Sequence, residues 1–595
     1  MKGFKKKLFS SVLAGMMAFS AFALVGCDGG FLGDDYGEEL REDTTHLFIG
    51  VYDGGFGADS WEKMEKDFEA IYVNEEFEPG KTGVDVHISP KKTEYLGDTL
   101  KNSMLTNQED MYFTNADVKD FAVNNLIIDV SDVVKNTKST TYSKVYDDTM
   151  TIEEKMTDAV KTYIKECDPN YSADNYKYYG VPVFVSTNSL IYDVDLWEDE
   201  SLYFTREYEQ QKYENGPEAI QMFTSGLEGD AQKSFGQDGM PNTLDDGLPI
   251  DWDDFKNMLT QIYEEAKCTP ITFSGGNPMY SREYFVQLYA NYEGAKDFAL
   301  NFTFNGTDAD DSNVGTITPQ TGYKVFKQRG RVKAMELAEY IAAKPGYLHG
   351  DALSGASHTD AQDNFLYSGP FADGNDKKRV AMLIEGNWWE HEAQDTIAKI
   401  NSKYPKYKDR RFGVMTFPYM DEKANKDPNN KVMVSIQPNS YAFIASKATP
   451  AIQEVAKLFL AFTTDDEYLS YYTSVSGAPR PFRYAVKDAH YQNMSYYKKS
   501  IWEQYKGVLD GSTTLLYGRG SELISRYSTE YIYTDFGFMG AFEGTNSVSE
   551  PFSGFVYYAK KKDGSTWLTA QKLADIPYEK YKSIWEASYY RKWYV

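Results

Sequence analysis

Apolar positions along the chain follow two different periods. Leu47-Phe48-Ile49-Gly50-Val51-Tyr52 is a continuous apolar run closed by Asp53-Gly54-Gly55, the pattern of a strand buried on both faces that runs into a loop. Ser60 then offers a helix cap, and Trp61, Met64, Phe68, Ile71 and Tyr72 recur at helical spacing. Val84-Asp85-Val86-His87-Ile88, an amphipathic stretch from Leu96 to Leu105, and Asp110-Met111-Tyr112-Phe113-Thr114 continue the alternation. This order predicts α/β architecture, with βαβ units, right-handed crossovers and mostly parallel sheets. Later strands are expected at Leu190–Tyr192, Val380–Ile384, Phe412–Met415 and Tyr441–Ala445. Pro450 should open a helix capped by Thr449, whose apolar positions Ile452, Val455, Ala456 and Phe459 keep the helical period. The acidic, Gly-rich stretches 225–250 and 303–322 read as inserted loops, and no internal repeat stands out.

The first residues break this pattern. Lys2, Lys5, Lys6 and Lys7 precede an apolar stretch from Leu8 to Val25 that ends at Gly26-Cys27, which reads as a secretory signal peptide over 1–26. A cysteine placed directly after small residues supplies a thiol that can carry a diacylglycerol, so Cys27 is the candidate lipidation site. The alternative is an ordinary secreted protein with a chance cysteine. Residues 27–45 are acidic and Gly-rich, with little to bury, and read as a flexible tether.

Charge narrows the partners. Loss of the four leading lysines leaves 58 basic side chains against 89 acidic ones, a net charge of −31. Such a surface repels phosphate backbones and anionic headgroups, so nucleic acid is not expected and membrane contact should come from the lipid alone. With Cys27 lipidated, Cys167 and Cys268 are the only other thiols, either paired or buried and free, and neither metal nor redox chemistry is implied. The 48 Tyr, 35 Phe and 9 Trp are plentiful enough to serve both a core and a ring-stacking surface, and composition does not separate the two.

Four stretches carry a resemblance. They are Gly180-Val181-Pro182-Val183 through Ser189-Leu190-Ile191-Tyr192-Asp193-Val194-Asp195-Leu196, Thr359-Asp360-Ala361-Gln362, Ala381-Met382-Leu383-Ile384-Glu385-Gly386-Asn387-Trp388-Trp389, and Gly477-Ala478-Pro479-Arg480-Pro481. In order and spacing, from about 46 to 490, the chain resembles the family 1 extracellular solute-binding proteins, the maltose-binding-like components of carbohydrate ABC importers. The resemblance implies a two-lobed, type II periplasmic-binding-protein-like fold joined by hinge crossings. Lobe 1 would comprise 46–186 and 439–475, and lobe 2 would comprise 187–438 and 476–595, including insertions and an aromatic C-terminal extension. The chain is some 150 residues longer than the usual pattern.

A sugar ring offers an apolar C–H face and a fringe of hydroxyls, so a site for it needs aromatic platforms with polar groups beside them. Trp388 and Trp389 follow a strand and a glycine, where a loop would project them, with Glu385, into the crevice; at least one indole should stack, and the resemblance favours Trp388. Asp53 and Phe56 leave the first strand, and Thr114, Asn115 and Asp117 leave a later one. Asn115 and Asp117 either meet hydroxyls or cap a helix. Ser186 stands at the first crossing, where relatives often carry a carboxylate. Tyr280 resembles the second aromatic platform, and Arg480 would reach the hinge-side pocket; either instead makes a structural bond.

These expectations describe a monomeric binding protein without cofactor, held outside the cell membrane by lipid, closing on an oligosaccharide and presenting it to ABC permease subunits. An enzyme would need a carboxylate pair such as Glu385, Asp360 or Asp117, yet no spacing identifies one, and zinc, nucleophile-elbow and phosphate-loop motifs are missing. A surface glycan-binding protein without its own importer, and a receptor for another solute such as a peptide, are the remaining alternatives. Asp238, Asn242, Asp245 and Asp246 fall within one turn-rich loop loosely like a calcium site, or form a solvated acidic turn.

Overall fold

The computed structural model describes residues 40–116, 118–209, 233–309, 314–371, 379–420, 431–435, 440–517, 550–560 and 563–587. The chain divides into two compact units, one ending at Asp43 and one beginning at Thr44. Only residues 40–43 of the first are described, with Arg41 paired to Asp43. The signal peptide, Cys27, most of the tether and Asp117 lie outside the described residues. No described helix is long and apolar enough to cross a membrane.

In the second unit the described strands are, in chain order, β1 (Thr45–Tyr52), β2 (Val84–Lys91), β3 (Met111–Asn115), β4 (Val181–Pro182), β5 (Asn188–Asp193), β6 (Thr269–Thr272), β7 (Gly306–Thr307), β8 (Thr316–Ile317), β9 (Val380–Gly386), β10 (Phe412–Met415), β11 (Lys431–Ser435), β12 (Ser440–Ile444) and β13 (Thr513–Tyr517). They build two main sheets, ordered β2-β1-β3-β12-β4 and β10-β5-β9-β6, one in each lobe. The ladders are mixed rather than mostly parallel. β1 runs parallel to β2 and β3, and β6 to β9, but β12 is antiparallel to β3 and β4, and β5 to β9 and β10. The reason is directional. A strand fed by a helix runs toward the crevice, whereas β5 and β12 enter their lobes from the crossing and must run away from it.

Each sheet is sealed by its own apolar cluster. In the first lobe Phe68 of the helix Asp59–Tyr72 meets Phe459 of the helix Pro450–Thr463 with ring centres 5.0 Å apart. Thr449 caps the second of these helices as expected, by accepting from Ile452 N. Ser60 does not cap the first: it lies inside the helix, and its hydroxyl is buried without a partner. Cys167 belongs to the first lobe's cluster and Cys268 to the second's, and they form no disulfide with each other: the Cys167 thiol donates to Tyr163 O and the Cys268 thiol to Ala266 O. The helix Tyr496–Asp510 divides its faces, with Tyr497 and Ile501 packing in an outer cluster of the second lobe and Trp502 and Tyr505 in the first lobe's cluster.

Two devices hold the crossings. Asn387 grips the outgoing strand: its amide donates to Val185 O at 3.0 Å and accepts from Thr187 N at 3.2 Å, while its own N–H donates to Thr187 O at 3.0 Å. The returning strand β11 pairs with β13 on one edge. On the other edge, side chains of the helix Met279–Glu293 replace a neighbouring strand. Gln287 donates to Val434 O at 2.6 Å and accepts from Val434 N at 3.0 Å, and Asn291 does the same for Val432 at 2.9 and 3.0 Å.

Candidate functional site

The carboxyl ends of β1 and β9 face each other across the crevice. The turn Asp53–Gly57 leaves β1, with Asp53 Oδ1 accepting from Gly55 N at 3.2 Å. After β9 the indole of Trp388 folds back over Gly386, where a Cβ would come within 2.3 Å of the ring, so only glycine leaves room for it. The turn and the indole meet. A Cβ on Gly55 would lie 3.0 Å from Trp388 Cδ1, and one on Gly57, whose φ is +75°, would lie 2.1 Å from His391 Cε1. Lys92, just past β2, reaches Glu392 of the opposite lobe at 3.6 Å. The lobes are therefore in contact at this junction.

Aromatic rings fill it. Phe56 packs on Phe184 with ring centres 4.8 Å apart and stands edge-on to Trp388 at 6.2 Å, and Tyr280 lies 6.2 Å from Trp388 on the other side. Polar groups border the rings. Gln362 donates to Glu385 at 3.4 Å and to Glu392 at 3.3 Å. Burial, with help from the charges of Asp53 and Glu392, raises the Tyr52 hydroxyl to about 12. Burial also lowers the His391 imidazole below its usual range, against the opposing charges of Asp53 and Asp59.

The structure thus brings Asp53, Phe56, Tyr280 and Trp388 together. It corrects several other expectations. Trp389 is fully buried, ringed by Phe365, Phe412 and Tyr497, because the residue after Trp388 starts a helix and turns into the lobe. Arg480 is buried and structural: it donates to Val183 O at 2.8 Å, to Pro182 O at 3.0 Å and to Thr463 O, tying the first crossing to the helix Pro450–Thr463. Burial lowers its guanidinium to about 10, which leaves it a cation at neutral pH. Thr114 is buried with its hydroxyl donating to Tyr95 O, while Asn115 ends β3 paired to Ser440. Ser186 is buried and its hydroxyl has no partner.

Glu385 lies under the junction rather than in it, 1% exposed, accepting from Gly386 N at 3.0 Å. Burial first, and then the charge of Glu392, raise its carboxyl well above 4.5. A raised carboxyl favours the folded state most below its unfolded value, and that contribution is lost as pH climbs through the raised one. Glu385→Gln should therefore match the wild type near pH 4 and become more stable relative to it by about 1.4 kcal/mol per pH unit across the window. Melting curves between about pH 4 and pH 8 check this, and parallel curves for the two proteins would refute it.

The acidic loop is likewise turned inward. Asp245 accepts from Gln237 N and Asp238 N, Asp238 from Met240 N, and Asp246 from Asn242 N, so the carboxylates hold the turn's own backbone, and Asp245 and Asp246 both accept from the Thr243 hydroxyl, at 2.9 and 3.1 Å. Among the described residues no group of three or more His, Cys, Asp or Glu side chains could hold a metal ion. Asp360, an imagined catalytic acid, accepts from Ser357 N and Oγ at the start of the helix His358–Phe371.

Phe184, Gln362, His391, Glu392 and Lys92 escaped sequence reasoning. His391 and Glu392 stand three and four residues after Trp388, the spacing that shares a helical face, and that signal was available. No family model matches the chain. No curated protein matches it either. Among solved structures the chain is similar to the apo form of RafE from Streptococcus pneumoniae, at 14% identity over 92% of this chain and 99% of that one, with a TM-score of 0.48. It is similar also to a chitin oligosaccharide binding protein, at 16% identity over 92% and 99% with a TM-score of 0.48. A third similar structure is the cyclic alpha-maltosyl-1,6-maltose binding protein of Arthrobacter globiformis, at 12% identity over 92% and 100% with a TM-score of 0.48.

Proposed function

We propose that the chain is the extracytoplasmic substrate-binding component of an ABC importer, anchored by lipid at Cys27, and that it closes its two lobes on an oligosaccharide without altering it. The observation that carries this reading is the meeting of Trp388, Tyr280 and Phe56 at the mouth of the two sheets, with Asp53, Gln362 and Glu392 beside them. Flat apolar faces bordered by acceptors and donors fit a ring of C–H groups fringed with hydroxyls. Each carboxyl near the rings has a partner within the chain: Glu385 is sealed off, Glu390 accepts from Ser495 at 2.8 Å, Asp53 accepts from Gly55 N at 3.2 Å, and Glu392 accepts from Gln362 at 3.3 Å and faces Lys92 at 3.6 Å. That favours binding over hydrolysis, since a glycosidase needs two carboxyl groups facing the scissile bond.

Closure is the working step. In the closed state Asp53–Gly57 and Lys92 touch His391 and Glu392, so the contacts that a guest strengthens are the same ones that bring the lobes together. Calorimetry against neutral oligosaccharides, with small-angle scattering on the same samples, tests the reading. Binding with a fall in radius of gyration is expected, whereas saturable binding of peptides alone, or release of shortened glycans, would overturn it. The Gly57→Ala variant should bind more weakly by about 5- to 30-fold, because its left-handed φ disfavours alanine and the added methyl meets His391 only when the lobes close. His391→Ala in the same chain should recover part of that loss, and no recovery would show that closure is not what was blocked.

A further inference from the structure

A half-open cavity lies on the opposite side of the crossing. Asn188 donates to Tyr280 O on the aromatic side, while its neighbours Thr187 and Ser189 point the other way, as alternate residues of a strand do, and line a cavity of about 550 Å³. Its other walls come from the end of β10, the return strand β11, the start of β13, the acidic loop, the far half of the helix Tyr496–Asp510, and Gln287 and Asn291 of the helix Met279–Glu293; Trp388, Tyr280 and Phe56 take no part. That volume is of the size that holds a small molecule.

Two polar groups in its lining are left without partners. The Thr416 hydroxyl is buried and makes no hydrogen bond. The Lys431 ammonium lies 5.9 Å from the centre of the Tyr419 ring and makes no hydrogen bond or ion pair with a described residue. Burial lowers Lys431, and the carboxylates of Asp245 and Asp238 oppose that without reaching it. A buried donor is normally satisfied, so the Thr416 hydroxyl marks a place where an absent acceptor belongs, and the half-buried Lys431 ammonium shares the same lining. Tyr419 and Tyr491 add apolar ring faces to the same walls.

We propose that this cavity is a second binding site, separate from the Trp388 junction, for a neutral polyhydroxylated solute of one or two sugar rings. Hydroxyl oxygens would accept from Lys431 and Thr416, and hydroxyl protons would go to the loop carboxylates. The carboxylates that share the lining disfavour an anion, and Lys431 disfavours a cation.

The test is calorimetry on the full chain with maltose and raffinose as probes, and with glucosamine and glucose 6-phosphate as charged controls. The wild type should take up two equivalents of a neutral sugar. Trp388→Ala should keep one, and a Lys431→Met, Thr416→Val double variant should lose the other, weakened by about tenfold or more. The double variant removes two unpaired polar groups, so its melting temperature should not fall; Thr416→Val alone, a near-isosteric exchange, carries the same test. A single equivalent that Trp388→Ala abolishes and the double variant leaves untouched would overturn the second site, as would binding of a charged control alone. Loss of all binding in the double variant, with Trp388→Ala unchanged, would uphold this site and sink the front one.

Discussion

Replacement of Trp389 by alanine is expected to destabilise the protein by about 3–5 kcal/mol, the range for a large aromatic removed from a filled interior. Its indole is fully buried and stands edge-on to Phe365, Phe412 and Tyr497, so the space it vacates is walled by rigid rings that collapse poorly. The ring nitrogen is buried without a partner, which makes phenylalanine the informative control. Trp389→Phe loses some contact area but also removes an unsatisfied donor, and its cost should stay below about 1.5 kcal/mol. Urea unfolding of the two variants measures both. Equal losses for alanine and phenylalanine would mean that the N–H, and not the ring, is what the core requires.

Its neighbour should behave in the opposite way. Trp388→Ala is expected to weaken oligosaccharide binding by roughly 30-fold, about 2 kcal/mol, the loss typical of a central aromatic anchor. Its partners Phe56 and Tyr280 come from different elements, and all three rings are buried members of the first lobe's apolar cluster, so the deletion should also cost some stability. The expected signature is a large change in affinity with a smaller shift in melting temperature than Trp389→Ala produces. Unchanged affinity in a folded Trp388→Ala protein would remove the platform from the proposed function.

The strands were the most legible part of the chain, because β3, β9, β10 and β12 are buried along nearly their whole length, β1 is buried on one face and half-buried on the other, and all read as apolar runs. Strand direction was not legible, since parallel and antiparallel buried strands carry the same residues and only the path through the hinge separates them. β6 and β11 also escaped. Thr269–Thr272 is short and half polar, and Lys431–Ser435 owes its place to Gln287 and Asn291, far away in sequence. At the site, the aromatic pair at 388 and 389 was visible but their division of labour was not, because it depends on where a helix begins. Arg480 shows the limit most clearly. A lone arginine in a Gly-Ala-Pro-Arg-Pro turn suits a ligand as well as three backbone carbonyls, and only the fold decides.

The helix Met279–Glu293 has one more consequence. Its first turn carries Tyr280 to the front rings, and Gln287 and Asn291, two and three turns on, grasp the return strand, so a single rigid rod about 16 Å long spans from the Trp388 rings to β11. A tilt imposed on one end is expected to appear at the other, which would let the arriving solute set the angle of the backbone on which the two halves swing.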